Sequence, residues 1–239
     1  MKVNILAFAA HPDDVELACA GTIALHVQKG HKVAIVDLTA GELGTRGTPE
    51  IRAAEAKAAS EILGVCAREN LMMADGFFVN DKAHQLKVIA AIRKFRPEIV
   101  LANAPSDRHP DHGKGADLVR DAFFLSGLRM IETTDEQGNQ QEAYRPKHLF
   151  HYMQNNYLKP DFVVDISPVY ELRKMAIKAY KSQFYDPLSQ EPITHIARPE
   201  FLLAMDARAR EMGHAIGVEF GEGFISNGTL GVADLGMFI

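Results

Sequence analysis

Residues 3–14 read VNILAFAAHPDD. Val3 to Ala9 is a compact apolar run of strand length, and it ends abruptly on His11-Pro12-Asp13-Asp14. An unbroken apolar run of this kind marks a strand covered on both faces, the strand type of parallel sheets. The neighbouring segments agree. Val15 to Lys29 has helical periodicity, and Gly30 supplies a stop. Lys32 to Leu38 is the next strand, followed by a loop through Gly41, Gly44 and Gly47. Pro49 suits a first helical turn ahead of the alanine-rich helix Ile51 to Leu63, which Gly64 ends. Asn70 to Met73 is a short third strand, Lys82 to Phe95 an amphipathic helix closed by Pro97, and Ile99 to Ala102 a fourth strand. This alternation predicts an α/β fold: a Rossmann-like, mostly parallel sheet with helices on both faces and a C-terminal extension.

Past Asp117 the pattern loosens. Residues 132–142 are polar, with a Gly138-Asn139 turn, and read as a surface excursion. Two more strands are expected at His148 to Met153 and Phe162 to Ile166, and helices at Met175 to Phe184 and Phe201 to Ile216. With no repeat and no low-complexity segment, residues 1–239 are expected to form a single domain. In it, residues 1–125 are the Rossmann-like core, and residues 126–239 are the extension on the substrate and oligomerisation side.

Composition excludes several classes. Of 239 residues, 47% are hydrophobic and 24% charged, an ordinary globular balance, and the net charge is −5. No basic stripe marks a nucleic-acid surface. Cys19 and Cys66 sit in helix-like apolar stretches and form no Cys-x-x-Cys, so neither a disulfide framework nor a thiolate metal site is expected. The N-terminal apolar run, broken by His-Pro-Asp-Asp, is expected to be a buried strand, not a signal peptide or membrane span. A cytoplasmic protein is expected.

The chemistry gathers in two motifs. His11-Pro12-Asp13-Asp14 lies at the carboxyl end of the first strand, and Asp107-Arg108-His109-Pro110-Asp111-His112 comes after the fourth. In the commonest doubly wound order those strands are neighbours, and ligands bind outside their carboxyl ends where the strand order reverses. Singly, each motif has an ordinary explanation: an Asp-Asp pair can cap the helix that starts there, and loop histidines are commonly solvated. Two His/Asp-rich turns aimed at one switch point instead point to a metal site. Two imidazoles and one carboxylate would leave a fourth position for water, as in catalytic zinc sites; iron(II) would accept the same ligands. Such a metal activates water and polarises a carbonyl. One of Asp13 and Asp14 would ligate it while the other accepts the water's proton, and spacing does not distinguish them. If His112 ligates, His109 is spare. With Asp111 as partner, a cationic His109 would stabilise an oxyanion and protonate a leaving amine.

AHPDDVE with DRHPDHGKGA resembles the PIG-L/LmbE family of metal-dependent N-acetylglucosaminyl deacetylases. LTAGELGTRGT, IRAAEAKAAS, AYKSQF and GVEFGEGF bring the chain nearest the branch that deacetylates N-acetylglucosaminyl-malate in bacillithiol synthesis. The matches run from His11 to Phe224. The resemblance implies His11, Asp14 and His112 as zinc ligands, Asp13 as general base, and His109 as the oxyanion-stabilising imidazolium partnered by Asp111. It also implies Arg52 as a ligand for sugar hydroxyls, an amino-sugar conjugate as substrate, and a homo-oligomer. Arg108, a fixed guanidinium fork, is assigned to the malate carboxylate. One departure stands out. Some relatives place a tyrosine two positions before the first histidine of HPDH, where this chain has Asp107, so either His109 acts alone or Tyr157 or Tyr185 reaches in.

The remaining histidines, among them His151 and His195, show no ligand spacing and read as ordinary. The apolar end, residues 230–239, is expected to dock on the body or on another subunit. Three rival functions differ in what they require. A nicotinamide oxidoreductase needs a glycine-rich phosphate turn after the first strand, where two aspartates would instead repel a pyrophosphate. A non-catalytic metal- or sugar-binding module leaves Asp13 without purpose. A deacetylase of another amino-sugar conjugate, or a broad amidase, keeps the same metal chemistry.

Overall fold

The computed structural model describes residues 1–235. The chain runs β1 (Ile5–Ala9), α1 (Asp14–Gln28), β2 (Val33–Thr39), α2 (Pro49–Leu63), β3 (Ala67–Met73), α3 (Lys82–Phe95), β4 (Ile99–Ala102) and α4 (Pro110–Leu125). It continues through β5 (His148–Tyr152), β6 (Phe162–Asp165), a 3-10 turn at Ser167–Val169, α5 (Tyr170–Lys178), α6 (Pro199–Ala215) and β7 (Gly221–Ser226). One seven-stranded sheet takes the order β3-β2-β1-β4-β5-β7-β6. Its first five strands are parallel, and β7 pairs antiparallel with both β5 and β6. The expected α/β fold with a mostly parallel sheet is therefore what the chain adopts. Among the described residues, no helix is long and apolar enough to cross a membrane.

The unbroken apolar run of β1 has a direct cause. Ile5, Ala7 and Ala9 enter the core beneath α1 and α5, while Leu6, Phe8 and Ala10 enter the opposite core beneath α3 and α4. Every β1 side chain is buried, and burial of one as large as Phe8 stabilises by about 1.5–3 kcal/mol. Local signals start and stop the helices as expected. Thr48 caps α2 by accepting from Ile51 N, with Pro49 at its start and Gly64 left-handed at its end.

Some expectations need correction. Residues 110–125, for which no helix is expected from the sequence, form α4, and β7 crosses a glycine-rich segment that carries no strand signal. Helix α5 begins at Tyr170, not Met175, and ends at Lys178. Cys66 is exposed, just ahead of β3, rather than in a helix; Cys19 is buried in α1, and both are free thiols. Of the apolar end, Leu230, Val232 and Leu235 are exposed, and residues 236–239 lie outside the described residues.

Helix α1 is interrupted at Cys19 (φ −146°, ψ 21°) and repaired by an ion pair. Glu222 of β7 accepts from Gly21 N at 2.9 Å, Thr22 N at 2.7 Å and Thr22 Oγ1 at 2.7 Å. Arg173 of α5 lies 3.2 Å from Glu222 and donates to the Leu17 carbonyl at 3.1 Å. Gly21 is required by proximity, because a Cβ there would sit 2.8 Å from Ile166. The break sets the direction of the first turns of α1, which carry Asp14, and Leu17 and Ala18 on the cavity wall.

Candidate active site

Pairing of β1 with β4 (Ile5 opposite Ile99, Leu6 opposite Val100, Ala7 opposite Leu101) sets the two motif loops side by side. His11 lies in the turn after β1, and Asp14 opens α1. His109 is the residue before α4, and Asp111 and His112 lie in its first turn. The ring of His11 stands 4.6 Å from that of His109 and 5.7 Å from that of His112, centre to centre.

Asp14 lies between two of these imidazoles. Its Oδ1 is 3.0 Å from His112 Nε2, and its Oδ2 is 3.6 Å from His11 Nδ1. The other nitrogen of each ring rests on a carboxylate. His11 Nε2 meets Asp75 at 3.0 Å, with Asp111 at 3.5 Å, and His112 Nδ1 meets Asp107 at 2.5 Å. A carboxylate behind each ring fixes the tautomer and aims the second nitrogen's lone pair forward, which is how metal-binding histidines are held. Ligand atoms about 2.0–2.2 Å from a zinc ion stand about 3–3.6 Å from one another, so these spacings fit a divalent metal. His11, His109 and His112 also bring one nitrogen each within 4.8 Å of one another, as do ligand atoms of His11, Asp75 and Asp111.

The carboxylates also set the affinity of these rings for protons. Burial alone would lower His11, but hydrogen bonds to Asp111, Asp14 and Asp75 hold it well above the usual imidazole value. For His112, burial is likewise outweighed by Asp14 and Asp107, which push it up to about 9. Burial would raise Asp14, yet His112 and His11 hold it well below the usual carboxylate range. The site is built for positive charge.

Asp13 is different. Its backbone lies at φ 129°, ψ −23°, a strained region for a residue with a side chain, and such strain collects at functional sites. It occupies the cap position of α1 yet makes no side-chain cap bond, and Asp14 directs an oxygen back to His11 N at 3.0 Å. Neither carboxylate serves as an ordinary helix cap. Burial pushes Asp13 up to about 7, with Arg52 opposing and Asp14 reinforcing the shift. A carboxylate poised near neutrality suits a general base.

Arg52 is buried and holds that aspartate in place. Its Nη2 donates to Asp13 Oδ2 at 3.0 Å and to the Pro12 carbonyl at 2.6 Å, and its Nη1 to the Gly41 carbonyl at 3.4 Å. Gly41, at φ 65°, is needed here because a Cβ would meet Arg52 Nη1 at 2.0 Å. Arg52 also lines the cavity, and its Nε has no hydrogen-bond partner among the described residues, so the brace on Asp13 leaves the expected contact with sugar hydroxyls open to it.

The partnership of His109 with Asp111 is also corrected. His109 Nδ1 accepts from the Asp111 backbone N–H at 3.3 Å, as a cap of α4. The Asp111 carboxylate turns away to Gly76 N at 2.7 Å, Lys114 Nζ at 3.0 Å and His11. Burial, then the charges of His11 and His112, lower the His109 pKa, and with Nδ1 accepting from the Asp111 N–H its Nε2 is the nitrogen left to donate. Asp107, in the place of the relatives' tyrosine, holds His112 and accepts from Asn156 N at 2.6 Å. Tyr157 and Tyr185 are exposed, and no tyrosine is among the described residues lining the cavity.

Of the two motifs, His11, Asp13, Asp14, Asp107, Arg108, His109 and His112 line a cavity of about 850 Å³. Arg108 lies on its wall, exposed and with no side-chain hydrogen bond among the described residues. The segment around α6 adds Ile196, Phe201 and Met205. His195, ordinary by its spacing, also lines the cavity and meets Asn155 at 3.0 Å. Sequence reasoning missed Asp75, Asn103 and Gln154, which contact His11 or Asp14 directly. Each stands close behind the carboxyl end of β3, β4 or β5, the one signal that could have found them.

The chain is similar to known proteins along most of its length. Residues 6–123 match the family described as GlcNAc-PI de-N-acetylase. The chain is 30% identical over 191 residues to the diacetylchitobiose deacetylase of Thermococcus kodakarensis, covering 76% of this chain and 70% of that protein. A conserved protein of Thermus thermophilus superposes with a TM-score of 0.84 at 37% identity, covering 97% of this chain and 98% of the other. The N,N'-diacetylchitobiose deacetylase of Pyrococcus horikoshii does so at 0.80 and 26% identity, over 93% and 83% of the two chains. The chain therefore belongs to the PIG-L family of GlcNAc-PI de-N-acetylases, metal-dependent hydrolases of amide bonds.

Proposed function

We propose that the chain is a zinc-dependent N-deacetylase of amino-sugar conjugates whose substrate is N-acetyl-α-D-glucosaminyl L-malate, in bacillithiol synthesis in the cytoplasm. The observation that carries the chemistry is Asp14 between His11 and His112, each ring backed by a carboxylate, with Asp13 alongside. His11, Asp14 and His112 would hold the metal, and iron(II) fits the same donors. A metal there would polarise the acetyl carbonyl and make water acidic enough to attack it.

The protein's own groups supply the rest. Asp13, braced by Arg52, accepts a proton from the attacking water as its oxygen bonds to the acetyl carbon. His109 donates its Nε2–H to the oxygen on which charge develops. The carbon–nitrogen bond then breaks, and the proton held by Asp13 passes to the leaving nitrogen, giving acetate and the free amine. Asp111 acts by orienting His11.

Arg108 supports an anionic aglycone, because an exposed guanidinium without a side-chain hydrogen bond on the wall can take a carboxylate. A homo-oligomer, with no nucleic-acid or membrane partner, belongs to the same reading. The test is acetate release from the zinc-loaded protein across N-acetylglucosaminyl-malate, N-acetylglucosamine, diacetylchitobiose and an inositol conjugate. Preference for the malate conjugate is expected. Preference for diacetylchitobiose, the substrate named for two relatives, would overturn the aglycone and leave the deacetylase chemistry standing.

A further inference from the structure

The turn after β5 places Gln154, 9% exposed, on the cavity wall. Its Oε1 accepts from Ala104 N at 3.0 Å and from Asn103 Nδ2 at 3.1 Å. A backbone amide only donates, so this carboxamide has one orientation, with its NH2 facing away from the end of β4. There Nε2 stands 2.9 Å from Asp14 Oδ1 and 3.3 Å from His112 Nε2. The second oxygen of Asp14 is held similarly, by Asn103 Nδ2 at 3.0 Å and His11 N at 3.0 Å. Two carboxamides, bonded to each other, thus hold one buried carboxylate. Both are uncharged, so they orient Asp14 without neutralising it. A lysine or arginine in either place would compete with a cation for the same oxygens.

We propose that Gln154 is a positioning residue for Asp14. The chain of hydrogen bonds from Ala104 through Gln154 to Asp14 sets which way the carboxylate faces, and so sets the site's affinity for a divalent cation. This rests on the reading of Asp14 as a metal ligand.

The experiment uses the full chain, stripped of metal and titrated with cobalt(II) against a competing chelator, with the visible spectrum, kcat and KM recorded. Gln154→Met, close in volume, should bind cobalt about 10–100-fold more weakly, the usual scale for a group that orients a ligand. Its spectrum should shift and its kcat fall, with KM changed by less than about threefold. Gln154→Glu sets a second negative charge beside Asp14, so it should bind cobalt more tightly than wild type while losing kcat. Unchanged cobalt affinity and spectrum in Gln154→Met would overturn the proposal. So would a raised KM with kcat and affinity intact, which would place the amide on the substrate. If Gln154→Met does not fold, as circular dichroism would show, Gln154→Glu decides: wild-type affinity and spectrum overturn the proposal. Failure of the underlying reading looks different, because Asp14→Asn would then keep wild-type cobalt affinity.

Discussion

The guanidinium of Arg52 reaches from α2 to within 3.0 Å of the Asp13 carboxylate, the group that burial pushes up to about 7. The two effects oppose each other: burial favours the neutral acid, and the nearby cation favours the carboxylate. Only the carboxylate can accept a proton, so kcat/KM is expected to fall as pH drops through the Asp13 pKa. A dication on Asp14 also favours ionised Asp13, which places that acid limb at or below pH 7. Arg52→Gln removes a positive charge, raises the Asp13 pKa and should move the limb to higher pH. Profiles of kcat/KM against pH for the two proteins test this, and coincident acid limbs would remove Asp13 or Arg52 from the assignment.

Asp13 and Asp14 are adjacent in sequence but face different tasks. Asp14 meets two imidazoles, whereas Asp13 meets Arg52. Asparagine at position 13 keeps the size but cannot take a proton. Asp13→Asn should retain stoichiometric zinc and lose at least about a hundredfold in kcat. Asp14→Asn should bind zinc weakly and recover activity in part when zinc is added. Metal analysis and kcat at saturating substrate check both variants, and the reverse pattern would exchange the two roles.

Arg108 is exposed at the cavity wall, so its charge is partly screened. Its contribution to an acidic aglycone should be about 1–2 kcal/mol, roughly a five- to thirtyfold rise in KM for the malate conjugate in Arg108→Ala. Free N-acetylglucosamine carries no carboxylate, and its KM should stay near wild type. Equal losses on both substrates would detach Arg108 from the aglycone.

The parallel half of the sheet is legible because both faces of β1 are buried, which leaves an unbroken apolar run and, at its end, the first motif. The second motif is equally plain, and strand order brings the two together. Helix α4 is harder to read, since its first turn is occupied by the functional residues His112 and Asp111, and Gly113 and Gly115 interrupt the periodicity. Strand β7 hides Glu222 between two glycines, a pattern that reads as a loop until Arg173 and the broken α1 stand beside it. Gln154 and Asn103 do not titrate and belong to no motif, so only their place after a strand marks them. The brace of Arg52 on Asp13 and the partners of Asp111 escape the sequence for one reason: residue type and spacing show what a side chain can bind, not which neighbour reaches it first.

Glu222 and Arg173 form a buried pair, each 3% exposed in its side chain, set into the break in α1. Removing one partner strands the other charge away from water. Glu222→Ala should therefore destabilise the fold by about 3–5 kcal/mol in urea unfolding. Replacing both, as Arg173→Met with Glu222→Gln, should cost less than the sum of the single changes. Additive losses would show that the pair acts only as separate hydrogen-bonding groups.

The carboxylates behind the two imidazoles make metal uptake release protons. In the metal-free protein Asp14 and Asp107 hold His112 up at about 9, and Asp111, Asp14 and Asp75 hold His11 well above its ordinary value. At neutral pH His112 therefore carries an extra proton that a metal must expel to reach the lone pair, and the raised pKa of His11 sets the same competition there. Raising pH removes the competitor, so affinity for zinc should climb between pH 6 and about 9 by roughly tenfold per unit for each proton displaced. Asp107→Asn removes a charge that raises the His112 pKa, so less proton is displaced near neutrality and the slope should become shallower. The same change loosens the ring, and affinity should fall about 10–100-fold at pH 8. Calorimetric titration of zinc in buffers of different ionisation enthalpy counts the protons directly. A pH-independent affinity in the wild-type protein would show that His11 and His112 are not the nitrogens that meet the metal.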